Sequence, residues 1–204
     1  MMFSYWNRIK KFINKSMFRI MFGSNFKYFG KKVSVLYPDI INGEKYISLR
    51  DNVIIEKGAW LLAFKQDDIE PELIVSESAN IGRYSHIVAL RKVIIEKNVL
   101  IADKVYISDN IHSFAGIKEP IKNQPIKFKG EVVIGENSWI GENVSIIGVC
   151  IGKHCVVGSN SVVTKDIMDF SVVAGVPARY IKRYDEESKE WKKTNNKGEF
   201  LDEI

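Results

Sequence analysis

The chain has 204 residues, 46% of them hydrophobic and 27% charged, which fits one globular domain with appendages. No stretch approaches the roughly 18 consecutive apolar residues that a membrane span needs, and the two cysteines, Cys150 and Cys155, form no metal or redox motif. The formal net charge of +5 is concentrated at one end, because residues 1–38 hold eight Lys/Arg and no Asp or Glu; this excludes a nucleic-acid protein with a broad basic face and marks a local basic appendage.

Residues 3–22 predict an amphipathic helix. Tyr5, Ile9, Phe12, Ile13, Met17, Ile20 and Met21 recur at spacings of three and four, while Lys10, Lys11, Asn14, Lys15 and Arg19 fill much of the other side. The cations interrupt any signal-peptide core, so a cytoplasmic location is expected. Two uses of the helix stay open. It lies on an anionic membrane, as a peripheral attachment, or it packs its apolar stripe on the open end of the domain that follows.

Beyond it the chain repeats with a period of six. Aliphatic anchors fall at Leu49, Ile55 and Leu61, at Val75, Ile81 and Ile87, and at Ile95, Ile101 and Ile107. They continue at Ile134, Ile140 and Ile146 and at Ile151, Val157 and Val163. Between these triplets the spacing slips to 14, 8, 27 and 5 residues. The residue two before each anchor is Val, Ala, Ser or Cys in thirteen of the fifteen cases. Strand alternation puts it on the anchor's face, so the pair fills a narrow interior. Gly82, Gly135, Gly141, Gly152 and Gly158 follow anchors, where a corner with unusual φ/ψ favours glycine.

Strands this short cannot pair as local hairpins. They stack on strands one coil away, three faces to a coil, and the five triplets predict an all-β parallel β-helix of about five coils. A β-sandwich would instead show strict alternation with turns every roughly 8–12 residues. The expected divisions are a basic helical segment over 1–32, the β-helix over 33–183, and a short helical tail over 184–204.

Three histidines are candidates for acid–base work. His112 opens the longest insertion, between Ile107 and Ile134, and long loops on rigid scaffolds are frequent functional sites. Asp109, three residues earlier, is a candidate to orient its imidazole. His86, between Ser85 and Ile87, faces outward and suits acceptor binding, and His154 reads as a solvated corner. Trp139, between Ser138 and Ile140, turns its indole outward.

Four stretches carry a resemblance: Ile107–Phe114 (ISDNIHSF), Val132–Gly141 (VVIGENSWIG), Ser161–Asp166 (SVVTKD) and Val173–Lys182 (VAGVPARYIK). In combination they resemble the hexapeptide-repeat acyltransferases, in the branch of the maltose, galactoside and capsular or lipopolysaccharide O-acetyltransferases. The repeat covers residues 45–183. The resemblance implies a left-handed β-helix, acetyl-CoA as co-substrate without a metal, a sugar or polysaccharide-precursor acceptor, and a homotrimer with active sites between subunits. It implies His112 as general base, Trp139 lining the CoA groove, and Thr164 and Lys165 as CoA contacts. Arg179 and Lys182 would meet the CoA phosphates, a task suited to cations and above all to the Arg fork. The backbone N–H groups of Gly141 and Ser159 are further candidates for CoA or oxyanion contacts.

The chain departs from the family's pattern at Ile147-Gly148, where Pro-Gly is usual, and at Met168-Asp169, where a Pro pair is usual. The asparagine that positions the acceptor in many sugar acetyltransferases has no clear counterpart. Three alternatives stay in view: an N-acetyltransferase acting on a nucleotide-linked amino sugar, a non-catalytic β-helix, and a γ-class carbonic anhydrase. The last needs three closely set zinc-binding histidines, and these three are 26 and 42 residues apart.

Overall fold

A computed structural model describes residues 2–201. It is a left-handed parallel β-helix whose three faces are built by successive passes of the chain. The first face stacks Tyr28–Phe29, Ile47–Leu49, Glu72–Val75, Lys92–Ile95 and Val132–Ile134, and single bridges continue it at Ile151 and Ile167. The second stacks Ser34–Val35, Ile54–Ile55, Asn80–Ile81, Leu100–Ile101, Trp139–Ile140, Val156–Val157 and Ser171–Gly175. The third stacks Ile40–Asn42, Trp60–Ala63, His86–Ala89, Tyr106–Ser108, Ser145–Ile147 and Val162–Val163. The prism thus runs beyond the predicted five coils, with added chain at both ends.

The inward residues are those the period of six selects. Ile55, Ile81, Ile101, Ile140, Val157 and Val173 pair in register up the second face, and all are at most 1% exposed. Each buries one apolar side chain, stabilising the fold by about 1.5–3 kcal/mol. The small partners include buried serines, whose hydroxyls are satisfied by the next coil. Ser85 donates to Ala102 O (3.1 Å) and accepts from Val105 N (3.2 Å); Ser138 donates to Gly152 O and accepts from Cys155 N, both at 2.9 Å. A buried hydroxyl costs little only when bonded in this way.

The corner glycines have a different reason from the one predicted. Gly82, Gly135, Gly141, Gly152 and Gly158 do not have positive φ; the left-handed corner positions belong to Asn52, Asn98, Asn137, Asn143, Asn160 and their coil-mates. Glycine is needed because adjacent coils approach closely. A Cβ on Gly82 would lie 2.3 Å from the Ala102 carbonyl carbon.

All four slips in the repeat fall at one edge, between the third face and the first. The 64–71 loop and the long insertion leave there, so every excursion of the chain shares one side of the prism.

Helix α1 (Met2–Phe22) caps the open end of the first coil, but not by its apolar stripe. Phe18 lies 6.2 Å from both Phe26 and Phe29 and joins the core. Around it, Arg19 donates to Gly30 O (2.5 Å), Lys15 to Lys32 O (3.0 Å), and Lys11 pairs with Glu56 (3.3 Å). The basic side covers the edge carbonyls, and the stripe faces outward.

The expected helical tail is a correction. Ala178–Asp185 runs antiparallel to Ser171–Gly175 on the second face, and Glu190–Lys193 pairs with it in turn. The reason is closure of the other end: the hairpin hydrogen-bonds the last strand's exposed edge, which a helix cannot do.

Candidate functional site

His112 ends Asn110–His112, which pairs antiparallel with Ile126–Phe128 to make an arm at the third–first edge. The arm is stapled rather than loose. Buried Gln124 accepts from Gly116 N (3.1 Å) and donates to Gly116 O (2.7 Å) and Glu119 O (3.0 Å). Gln66 of the 64–71 loop donates to Ile126 O (3.2 Å), and the Arg91 guanidinium lies 4.6 Å from the Phe128 ring centre. The His112 side chain is exposed and makes no hydrogen bond among the described residues. Its tip neighbours Phe114, Ile117 and Ile121 are also exposed, Ile117 at 97%.

Asp109 does not orient His112. It is fully buried, and its carboxylate accepts from Leu90 N (2.8 Å), Arg91 N (2.6 Å), Lys92 N (2.8 Å) and Asn110 Nδ2 (2.8 Å). Those backbone groups form the tight corner one coil below. Strand alternation turns Asp109 toward them and away from the imidazole, so it fixes the root of the arm.

His86 faces outward on the third face between Trp60 and Tyr106, with ring centres 4.6 and 5.3 Å away in edge-on contact. Its Nε2 is buried without a partner among the described residues, and burial holds its pKa below the ordinary imidazole value. Burial therefore favours the neutral form of His86. His154 sits at the first–second corner, stacked on Phe170 at 5.7 Å. Cys155 is filler inside the prism, where burial pushes its thiol up to about 11, and Cys150 is half-buried.

The predicted donor residues trace a line along the second face and over its end. Trp139 is half-exposed; its register neighbours are Leu100 below and Val156, Val172, Lys182 and Lys193 above. Gly141 and Ser159 stack at the adjoining corner. The Gly141 N–H is committed to Val157 O (2.8 Å), which removes it as a ligand contact, whereas Ser159 N–H has no partner among the described residues. A Cβ on residue 141 would lie 2.6 Å from Ser159 N, so glycine keeps that donor uncovered.

Thr164, Lys165 and Arg179 come together in a cleft of about 440 Å³ at the end of the prism, and Lys182 stands outside it. The cleft has a wall that sequence reasoning missed, Asn196 and Lys197. They sit on a turn in which Asn195 Oδ1 accepts from Lys197 N (2.9 Å) and Glu199 N (3.1 Å). Gly198, at φ 88°, lies under the Tyr180 ring, and Arg183 donates to its carbonyl (3.2 Å). The Asn-Asn-Lys-Gly sequence is a turn signal that could have flagged a reversal here. Lys165, Arg179 and Lys197 give the cleft three cations against one carboxylate, Asp166, which accepts from Cys150 N (2.8 Å), and this donor set fits phosphate oxygens such as those at the nucleotide end of acetyl-CoA. Among the described residues no three His, Cys, Asp or Glu side chains stand close enough to hold a metal ion.

A prism of hexapeptide coils with an exposed imidazole on an inserted arm and a cationic cleft at its end is the architecture of a left-handed β-helix acyltransferase. Residues 131–165 match the bacterial transferase hexapeptide family (six repeats). The chain is 35% identical over 166 residues to the putative lipopolysaccharide biosynthesis O-acetyl transferase WbbJ of Escherichia coli K12, covering 78% of this chain and 83% of that one. Among solved structures it is similar to a maltose O-acetyltransferase from Clostridium difficile 630 (TM-score 0.56, 25% identity, 90% of this chain and 86% of that one). It shares its fold with AntD, an N-acyltransferase from Bacillus cereus (TM-score 0.67, 20% identity, 83% of this chain and 90% of that one). The chain belongs to the hexapeptide-repeat acetyltransferases.

Proposed function

We propose that the chain transfers acetyl from acetyl-CoA to a sugar hydroxyl of a surface-polysaccharide precursor, such as capsule, O-antigen or exopolysaccharide. In this reading it acts as a cytoplasmic homotrimer, peripherally attached to the inner face of the membrane through residues 3–22. The observation that carries the reading is the separation of an uncommitted imidazole on a stapled arm from a cation-lined cleft on the same rigid prism. One serves the acceptor and the other the donor.

His112 accepts the proton of the sugar hydroxyl as that oxygen attacks the acetyl carbonyl. A C–O bond forms, the C–S bond breaks, and the imidazolium returns its proton to the departing thiolate. The Ser159 N–H is free to hold the donor. Asp109 takes no part in proton transfer. His86, its neutral form favoured by burial between two aromatic rings, suits an uncharged acceptor surface.

Placement supports the trimer. His112 projects at the third–first edge, whereas Trp139 lies on the second face, which is opposite that edge. An edge and the face opposite it cannot line one cleft in a single prism. In a closed ring of copies the edge of one meets a face of the next, and the exposed Phe114, Ile117 and Ile121 give the arm an apolar tip to seat there.

Thiol release from acetyl-CoA, measured with and without free, nucleotide-linked and lipid-linked glycans, tests the activity. Lys165→Ala, Arg179→Ala and Lys197→Ala are each expected to raise KM for acetyl-CoA about tenfold, the loss of one charge-assisted contact. They leave KM for a truncated acetyl-pantetheine donor unchanged. Equal rises for both donors would assign these residues to the scaffold instead.

A further inference from the structure

The docked side of α1 leaves a large apolar surface without an occupant. At 100° per residue, Lys11, Lys15, Phe18, Arg19 and Phe22 share the side that meets the first coil. The opposite side presents Trp6, Ile13, Met17 and Ile20, all exposed, with Ile20 at 81%, and the exposed Tyr5 and Phe12 flank it. Had the helix served only as a cap, its apolar stripe would have gone inward. Here the end of the prism is closed by Phe18 and by lysine and arginine bonds to carbonyls, and the stripe is held outward by the same contacts.

We infer that this outward face is a docking surface for an anionic lipid bilayer, entered side-on with the prism standing on it. The inference rests on, and gives the geometry of, the membrane attachment proposed above. Charge selects the occupant. The first 38 residues contain eight cations and no acid. Among the described residues Lys10, Lys31 and Lys32 have no carboxylate partner. A second copy laid face to face would bring two such sets of cations together. An anionic headgroup layer neutralises them, and it accepts the amphipathic rings of Tyr5 and Trp6 at the interface.

Among the described residues no helix is long and apolar enough to cross a membrane, so the contact is on the surface. In the trimer a threefold axis parallel to the prisms places three copies of α1 at one end, and three weak insertions act together. The His112 arm leaves the fourth strand of the third face. It therefore stands about 15 Å above the first coil, at about 4.8 Å per coil, clear of the headgroups.

The test uses the full-length protein and vesicles of phosphatidylcholine with or without phosphatidylglycerol. The protein is expected to co-sediment with the anionic vesicles only, with release by salt and a blue shift in fluorescence that Trp6→Phe removes. Ile13→Asp/Ile20→Asp is expected to weaken binding at least about tenfold, with the melting temperature, oligomeric mass and thiol release on a soluble acceptor unchanged. Co-sedimentation untouched by that variant, or none at all, would overturn the inference. So would a larger lipid-free assembly that Ile13→Asp/Ile20→Asp disperses, since a second copy would then cover the face. Loss of thiol release in the wild-type protein would strike the acetyl-transfer reading while leaving vesicle binding as its own readout.

Discussion

Replacing His112 with alanine lowers kcat by about 10²–10⁴-fold, the usual worth of a general base, and leaves the affinity for acetyl-CoA unchanged. The reasoning is geometric. The imidazole is exposed and uncommitted, on an arm whose other parts are fixed by Gln124, Gln66 and the Arg91–Phe128 contact. Removing it costs the fold almost nothing, because it packs against no core residue. The arm stays in place, and the acceptor hydroxyl loses its proton acceptor. Isothermal titration of CoA alongside steady-state kinetics separates the two effects. A His112→Ala enzyme that turns over normally, or one that loses CoA binding in proportion to rate, would remove the imidazole from this role.

Asp109 gives the second large effect, on stability. Asp109→Ala strips the acceptor from four donors, two buried and two part-buried, three of them backbone N–H groups that make one corner. Leaving buried donors unsatisfied costs about 1–3 kcal/mol each where no other partner exists. Partial relaxation brings the total to about 3 kcal/mol or more, which for a chain of this size is a fall in Tm of about 6–12 °C. Asp109→Asn does not rescue, because its amide turns an N–H toward the N–H groups it should accept. A thermal melt decides between structure and catalysis. A variant with an unchanged Tm and a dead active site would return Asp109 to the chemistry.

The repeat was legible because one physical demand, filling a thin prism, writes the same large–small pair every six residues. The end coils were harder to read. Phe29, Val35 and Ile41 are also six apart, but Lys27 and Asp39 stand where a small inward residue is expected, since α1 and the chain reversals at that end replace the next coil. The tail reads as a helix because Ala178–Asp185 and Glu190–Lys193 are outer strands with exposed faces, whose mixed polarity mimics a solvated helix.

Within the site, the motif residues Thr164, Lys165 and Arg179 line one cleft and Lys182 stands outside it. Asp109 was assigned by nearness in sequence, yet a three-residue separation says nothing about direction, and its carboxylate turns down to the preceding coil. Gly141 was assigned for its N–H, which the neighbouring coil already uses; its contribution is the absence of a side chain over Ser159. Asn196 and Lys197 escaped notice because a cleft made by chain reversal has no period. The helix face was legible as a stripe, but only the Arg19 and Lys15 contacts show which side is docked.

In the proposed trimer one active site is built from two copies, the arm of one and the second face of the next. Co-expression of His112→Ala with Trp139→Asp, each under its own tag, tests it. Both homotrimers are expected to be inactive and of normal mass. In mixed trimers about one site in three pairs an intact arm with an intact face, so the tandem-purified mixture is expected to regain acetyl transfer. If the mixture stays as inactive as its parents while mixed trimers are demonstrably present, the site lies within a single chain and the account is wrong.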